Sequence, residues 1–204
     1  MDRLVHNCVM NQGRPKEFDT DRALELATQQ FWKVGYSATS LQDLLKVMRL
    51  SKSSLYQTFG SKQQLFIQCL NHYEQSMASR LEQKLVESDS AVGFLREFLE
   101  EIVAEAAARG PRKGCLLVNT ANELSQRDPQ IKLVVSDGAN HFIAIFRRAI
   151  ELAVERGEMQ APASISSLAS FYFSGVSGLR TMVKAGVSQE ELHPVVNLIM
   201  EKFN

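Results

Sequence analysis

The 204-residue sequence has little cysteine, little proline and no net charge, and these shortages exclude several classes of protein. Its three cysteines, Cys8, Cys69 and Cys115, are too few and too widely spaced for a disulfide framework or a zinc ribbon. No apolar run approaches the roughly 18 residues of a membrane span, and residues 1–13 lack the apolar core of a signal peptide. We therefore expect a folded cytoplasmic protein with reduced thiols and no membrane contact.

The motifs of the common enzyme classes are also missing. The sequence has no glycine-rich phosphate loop, no Gly-x-Ser-x-Gly elbow and no clear acid/base pair, so it predicts no catalytic residue and no enzyme. The histidines have no ligand spacing with one another or with a cysteine, so neither a metal nor a cofactor is predicted. These histidines are His6, His72, His141 and His193.

Charge is balanced overall but is unevenly distributed along the chain. Residues 1–60 carry eight basic and six acidic side chains, whereas residues 61–204 carry fifteen basic and seventeen acidic ones. Residues 1–18 show no sustained periodicity and contain Arg14 and Lys16 next to glycine and proline, which predicts a flexible basic arm. A weakly basic end before a weakly acidic body is compatible with nucleic-acid contact at the N-terminus.

From residue 19 onward, apolar residues recur at three- and four-residue intervals, and no alternating apolar and polar run competes as a strand. Capping residues and glycines divide this pattern into three short and six longer helices; the fifth runs from Ser90 to Arg109. The sequence therefore predicts an all-α fold with a helix-turn-helix domain at residues 19–65 and a helical body at residues 66–204. The boundary falls inside the fourth helix.

Residues 39–59 predict two short helices joined by a tight turn. Thr39 or Ser40 can cap the first helix, and Ser51 can cap the second. The inward face of the second helix carries only two apolar side chains, whereas its outer face is polar and aromatic, as a helix that lies in a DNA major groove requires. From periodicity alone, an ordinary three-helix packing unit with solvated polar residues is an open alternative.

The same region resembles a known family. The motifs that carry the resemblance are Phe31-Trp32-Lys33-Val34-Gly35-Tyr36, Thr39-Ser40-Leu41, Leu50-Ser51-Lys52-Ser53-Ser54-Leu55-Tyr56, Phe59 and Ser61-Lys62-Gln63-Gln64-Leu65. They closely resemble the DNA-binding domain of TetR-family regulators, and residues 13–19 look like the arm of many members. The resemblance implies a dimeric transcriptional regulator, usually a repressor that a small-molecule inducer releases from double-stranded operator DNA.

Ten residues are candidates for DNA contact because their side chains can hydrogen-bond base edges or phosphates. They are Arg14, Lys16, Thr39, Ser40, Lys52, Ser53, Ser54, Tyr56, Gln57 and Lys62. Lys62 begins the next helix, where its ammonium and the helix dipole could together bind one phosphate. Two positions depart from the family pattern, which often has glycine where Arg49 and Ser53 stand. A left-handed Arg49 would cost about 1 kcal/mol, and Ser53 could instead gain a DNA contact.

Cys115 is the one residue of the body for which we predict reactive chemistry. It begins a helix after Arg112-Lys113-Gly114, where the helix dipole and two cations would favour a thiolate. Some regulators that this chain resembles carry a cysteine near this point and respond to electrophiles or oxidants. The alternative is a small buried apolar residue, which is the role expected for Cys69.

A ligand cavity is predicted between the helices of the body. Asn119 and Asn122 follow Cys115 at steps of four and three, so polar amides on an apolar helix could line it, or could instead cap backbone groups. The complete set of predicted lining residues is Phe98, Cys115, Asn119, Asn122, His141 and Phe171.

The last two predicted helices, at about residues 163–185 and 188–203, are rich in apolar side chains and carry Gly175 and Gly178. Their surface could be intramolecular core, but the resemblance favours a homodimer through residues 163–203. Three alternatives stay open. One is a ligand-independent DNA-associated structural or partner-binding protein with a filled body, and another is a repressor that senses oxidants or electrophiles through a cysteine. The third is an enzyme with Cys115 as nucleophile, which needs a nearby histidine.

Overall fold

The computed structural model describes residues 19–108 and 110–203, and these residues form an all-α fold without strands. The helices are α1 (Thr20–Val34), α2 (Leu41–Met48), α3 (Lys52–Phe59), α4 (Lys62–Glu87), α5 (Ala91–Ala104), α6 (Leu116–Leu124), α7 (Pro129–Glu155), α8 (Ile165–Ala185) and α9 (Gln189–Met200), with a 3-10 turn at Glu201–Phe203. The predicted fold class is confirmed. The predicted arm, with Arg14 and Lys16, lies outside the described residues.

Side-chain caps fix where most helices begin. Ser40 and Ser61 form reciprocal capping boxes with Asp43 and Gln64, and the Asp128 carboxylate accepts from the first backbone amides of α7. The sequence offered Thr39 and Ser40 as N-cap candidates for α2, and the structure shows that Ser40 is the N-cap.

Two predicted boundaries are wrong. The fifth helix ends at Ala104 instead of Arg109, because the backbone amides of residues 106–108 bond three residues back in successive tight turns. The sixth helix begins at Leu116, with Cys115 as its N-cap in extended backbone. Cys115 therefore stands outside the helical phase of α6.

Helices α1 and α3 pack against α4, and α2 packs against α1; α4 itself continues without a break into the body. In the body, α5, α7, α8 and α9 surround a core in which Phe146, Tyr172 and Phe203 are buried in edge-to-face pairs. Among the described residues, no helix combines the length and apolar character that crossing a bilayer requires.

Candidate nucleic-acid interface and interior cavity

Helix α3 presents a polar face to solvent and an apolar face to the protein. Leu55 and Phe59 are buried one turn apart, so the opposite side of this short helix is exposed. The exposed side chains on that face are Lys52, Ser53, Tyr56 and Gln57. Their amine, hydroxyl and amide groups can bond phosphates or base edges.

The turn between α2 and α3 has the backbone geometry that the sequence left in doubt. Arg49 adopts φ 54° and ψ 43°, which is the left-handed conformation, and its backbone N–H donates to the Leu45 carbonyl. The Leu50 backbone N–H donates to the same carbonyl at 3.1 Å. A non-glycine residue thus closes this helix as the family's glycine would, at a cost of about 1 kcal/mol.

Three more of the predicted DNA-contact residues, Thr39, Ser40 and Ser54, have partners within the protein. Thr39 is buried and its hydroxyl donates to the Gly35 carbonyl at 2.6 Å, so its side chain holds the turn before α2. Ser40 is exposed but serves as the α2 cap, and the Ser54 hydroxyl lies 2.9 Å from that of Ser51. These hydroxyl groups would have to contact DNA while they keep their structural roles.

Lys62 faces the protein more than the sequence suggested. Its ammonium donates to the Tyr36 carbonyl at 2.7 Å and lies 4.2 Å from the centre of the Tyr36 ring. Burial lowers the pKa of Lys62, although the nearby Glu123 carboxylate opposes that shift. The ammonium therefore ties the start of α4 to the turn that precedes α2, and a phosphate would have to share it.

Helix α6 connects this DNA-facing region with the body at both of its ends. At its start, the Gly114 carbonyl accepts a hydrogen bond from the Trp32 indole at 3.1 Å. Near its end, the Glu123 carboxylate accepts from the backbone N–H groups of Tyr36 and Ser37, at 3.1 and 2.7 Å. A rigid helix of nine residues thus contacts both α1 and the turn that leads into α2.

The contact at Glu123 also explains why position 35 is occupied by glycine. Gly35 has φ +88°, and a Cβ atom added there would lie 2.9 Å from a Glu123 carboxylate oxygen. A larger residue would therefore be strained in its backbone and would press on the carboxylate. The close approach of α6 to this turn depends on glycine at position 35.

The net pKa of Glu123 lies below its ordinary value of 4.5. Burial of the carboxyl group raises its pKa. The hydrogen bonds from Ser37 and Tyr36 and the positive charge of Lys62 together lower the pKa by more than burial raises it. Because the folded-state pKa is depressed, the stabilisation by this carboxylate is present above the unfolded-state pKa. It is lost as the pH falls through the folded-state value.

We therefore expect Glu123→Gln to reduce the free energy of unfolding by about 1 kcal/mol at pH 7, because the amide offers one neutral oxygen where the carboxylate accepts through both of its oxygens. The difference from the wild type should narrow as the pH falls below the ordinary value of 4.5 and through the lower folded-state pKa, where the folded wild-type carboxylate takes up a proton. Denaturant unfolding between pH 7 and pH 3 measures this. Glu97→Gln, at an exposed site on α5, is the control, and a pH-independent difference for Glu123→Gln would contradict the assignment.

An interior cavity lies among α4, α5, α7 and α8 beside the start of α6. Its free volume is about 20 Å³. The lining residues are Tyr73, Met77, Leu81, Phe98, Cys115, Phe142, Phe146, Phe173, Val176, Ser177 and Arg180. The walls are thus mostly aromatic and aliphatic, with a few polar groups, which is the usual make-up of a small-molecule site.

The polar groups of this cavity include a phenol, a thiol and a guanidinium. The Tyr73 hydroxyl donates to the Cys115 sulfur at 3.7 Å, and burial, with Cys115 nearby, raises the Tyr73 pKa well above its ordinary value of 10.0. Arg180 on α8 is only 8% exposed, and its Nη1 donates to both carboxylate oxygens of Glu105, at 3.0 and 3.2 Å. The guanidinium carbon lies 6.0 Å from the centre of the Phe98 ring.

The structure does not bring the six predicted pocket residues together. Phe98 and Cys115 line the interior cavity, but Asn119 and Asn122 line a separate groove against α1. His141 is exposed on α7, where it pairs with Glu74. As a correction, a single cavity with all six residues is therefore wrong.

Phe171 is also outside the cavity, and Phe173 occupies the wall in its place. The side chain of Phe171 is 44% exposed on the outer face of α8.

The two cations predicted to lie beside the Cys115 thiol, Arg112 and Lys113, contact other groups instead. Arg112 donates to the Ala106 carbonyl, and Lys113 lies 5.1 Å from the centre of the Trp32 ring. Arg180 shares the cavity with Cys115 instead. Sequence spacing does not predict this pairing, because the two residues are distant along the chain.

Two sequence models of known domains match most of the chain. Residues 23–69 match the domain described as bacterial regulatory proteins, tetR family, and residues 77–199 match the tetracyclin repressor-like C-terminal domain. The chain belongs to the TetR family of transcriptional regulators. It is a DNA-binding protein with a helix-turn-helix formed by α2 and α3, and the resemblance seen in the sequence is confirmed.

Relatives and solved structures agree with the TetR assignment over nearly the whole chain. The Bacillus subtilis regulator YezE is 29% identical over 191 residues, which cover 91% of this chain and 96% of YezE. The Escherichia coli repressor ComR is 28% identical, over 89% of this chain and 87% of its own length. A cysteine mutant of the TetR family regulator CifR, complexed with 26-bp double-strand operator DNA, aligns with a TM-score of 0.81 at 31% identity, over 94% of this chain and 100% of CifR.

Residues 19–108 and 110–203 contain no group of three or more His, Cys, Asp or Glu side chains placed to hold a metal ion. Within that part of the chain, the residues that line the interior cavity include no histidine that could serve as a base for Cys115.

Proposed function

We propose that this TetR-family protein is a homodimeric repressor that binds operator DNA through residues 19–65 and is released by a small molecule bound in residues 66–204. The observation that carries the proposal is the position of α6. Its N-cap, Cys115, lines the interior cavity, and its last turn holds the entry to the helix-turn-helix through Glu123. A ligand that displaces α6 would therefore move the DNA-binding region.

Repression is supported by the relatives, since ComR is named a repressor and the CifR mutant is complexed with operator DNA. In this chain, Lys52 and Tyr56 would bind phosphates, and Gln57 and Ser53 would read base edges. Arg14, Lys16, Ser40, Ser54 and Lys62 remain predicted contacts.

A homodimer through residues 163–203 is supported by the outer faces of α8 and α9. Exposed residues of α8 recur at steps of four and three, a spacing that forms one stripe along a helix: Ser167, Phe171, Ser174, Gly178 and Thr181. Leu198 on α9 is 60% exposed. Small side chains flanked by an exposed Phe and Leu would allow two copies to pack closely, and operator half-sites one helical turn apart require such a two-fold pair.

Variants of α3 test the proposed DNA contacts. Tyr56→Phe and Lys52→Ala should each weaken binding to all sequences, and Lys52→Ala should reduce the slope of log affinity against log salt by about 1, because one phosphate contact is lost. Gln57→Ala should instead relax base preference, with a loss of about 1–3 kcal/mol on the operator.

Fluorescence anisotropy with a fragment of the protein's own promoter and with random DNA, at several salt concentrations, measures these effects. Lys132→Ala, at an exposed position of α7, is the matched control and should leave affinity and salt slope unchanged. Promoter binding no tighter than binding to random DNA would overturn the repressor proposal.

A second candidate function is favoured by the small free volume of the cavity, about 20 Å³. An interior cavity this small suits a ligand-independent DNA-associated protein. A thermal-shift screen of apolar and aromatic compounds separates the two functions: a compound that binds the folded state raises the melting temperature, whereas a body without a site shows no shift with any compound.

A further inference from the structure

We propose that the interior cavity recognises an amphipathic carboxylate, whose apolar part packs among the aromatic walls and whose carboxylate replaces Glu105 as the partner of Arg180. This inference rests on the proposed function, because it names the chemical class of the inducer.

Arg180 is the feature that makes the cavity selective. A charged side chain that is 8% exposed needs a counter-ion, since an unpaired buried charge is strongly destabilising. The guanidinium also presents a planar set of donors that matches a carboxylate better than it matches a neutral carbonyl. A ligand in contact with Arg180 therefore gains most if it brings a negative charge.

The present counter-ion can be exchanged at low cost. The side chain of Glu105 is 47% exposed, and the residue lies just beyond the end of α5, in a segment of tight turns rather than in a helix. If a ligand carboxylate takes its place, Glu105 returns to water and Arg180 keeps a partner. Arg180 thus stays paired with a carboxylate throughout, whereas a neutral ligand that displaced Glu105 would leave the guanidinium buried and unpaired.

The remaining walls define the rest of the ligand. The Phe98 ring lies beneath Arg180, and Phe142, Phe173 and Val176 supply an apolar surface for an aromatic or aliphatic group. A free volume of about 20 Å³ is room for little more than one water molecule, so the ligand must be small and must displace side chains. Met77, an unbranched lining residue, can rearrange at low cost.

The test uses the full-length protein and four acids: benzoate, phenylacetate, 3-phenylpropionate and hexanoate, each compared with its primary amide. Isothermal titration at pH 7.5 should show at least one acid that binds at least tenfold more tightly than its amide. Glu105→Gln should strengthen binding of that acid severalfold, because a neutral side chain no longer competes for Arg180. Glu97→Gln, at an exposed site on α5, should leave the affinity for that acid unchanged.

Arg180→Gln should abolish the preference for the acid over its amide. If the Arg180→Gln protein does not fold, the Glu105→Gln variant still tests the proposal. Equal affinity for acid and amide, weaker acid binding by Glu105→Gln, or no binding by any of the four acids would overturn the inference. Promoter binding is measured separately on the same samples. Specific promoter binding without acid binding would overturn only the ligand class, whereas loss of specific promoter binding would overturn the repressor itself.

Discussion

Phe171→Glu is expected to convert the protein to a monomer and to lower its affinity for operator DNA by more than about a hundredfold. In the proposed dimer, the outer stripe of α8 packs against the same stripe of the second subunit. The substitution adds one carboxylate to each subunit, so two carboxylates without partners are buried at the interface. A monomer can occupy only one half-site and neutralises about half as many phosphates, which reduces both the affinity and its dependence on salt.

Light scattering after size-exclusion chromatography measures the mass, and anisotropy measures operator affinity. Val86→Glu is the matched control, because Val86 is 83% exposed on α4, away from the proposed interface, and the chemical change is the same. This variant should remain dimeric and bind DNA. A dimeric Phe171→Glu protein with normal operator affinity would show that subunits associate elsewhere.

The parts of the fold that sequence predicts well are those fixed by local physics. Ser61 and Asp128 mark helix starts because their side chains accept hydrogen bonds from backbone amides two or three residues ahead. Pro129 suits the first position of its helix because it has no backbone N–H to satisfy. Each of these features depends on a few consecutive residues, so a single sequence contains the information. The left-handed turn at Arg49 is different, because the departure from the family's glycine left its geometry open until the structure showed it.

The candidate site depends instead on residues that are far apart in sequence. Tyr73 meets Cys115 across 42 residues, and Arg180 meets Glu105 across 75. Helical periodicity assigns a residue to a face of its own helix, but it does not say which other helix covers that face. Helical periodicity therefore could not predict the interior cavity or the presence of Arg180 in its wall.

Two errors have a more specific cause. Asn119 was placed beside Cys115 because the step of four was counted as helical, but Cys115 is the extended N-cap and does not share the phase of α6. Phe171 and Phe173 are separated by about 200° around α8, so only one of them can face the cavity. Apolar character alone could not select Phe173, because a dimer surface and a core both favour phenylalanine.

Alkylation of Cys115 is expected to release the protein from operator DNA. Its thiol lies on the cavity wall at the N-cap of α6, and any adduct much larger than the free volume of about 20 Å³ must push on the surrounding helices. Helix α6 is the element held at both ends by the DNA-binding region, through Trp32 at its start and through Glu123 near its end. A shift of α6 would therefore change the relation between the two recognition helices of a dimer.

N-ethylmaleimide tests this without an oxidant, because the thiolate adds to the double bond and the neighbouring carbon takes up a proton. A Cys8→Ser background removes the thiol of the N-terminal segment. Burial raises the pKa of Cys69 to about 12, so that thiol stays protonated and should not react. We expect one adduct per chain, located at Cys115 by peptide mass spectrometry, and a loss of operator binding that follows the extent of modification.

Cys115→Ser in the same background should keep its operator affinity after treatment, and Cys69→Ser should still be released. Equal release of the Cys115→Ser protein would place the effect at another nucleophile. Complete modification of Cys115 without release would show that α6 tolerates an adduct at its cap, and the thiol would then serve packing alone. Because the Tyr73 hydroxyl donates to the Cys115 sulfur, Tyr73→Phe should change the rate of modification but not its site.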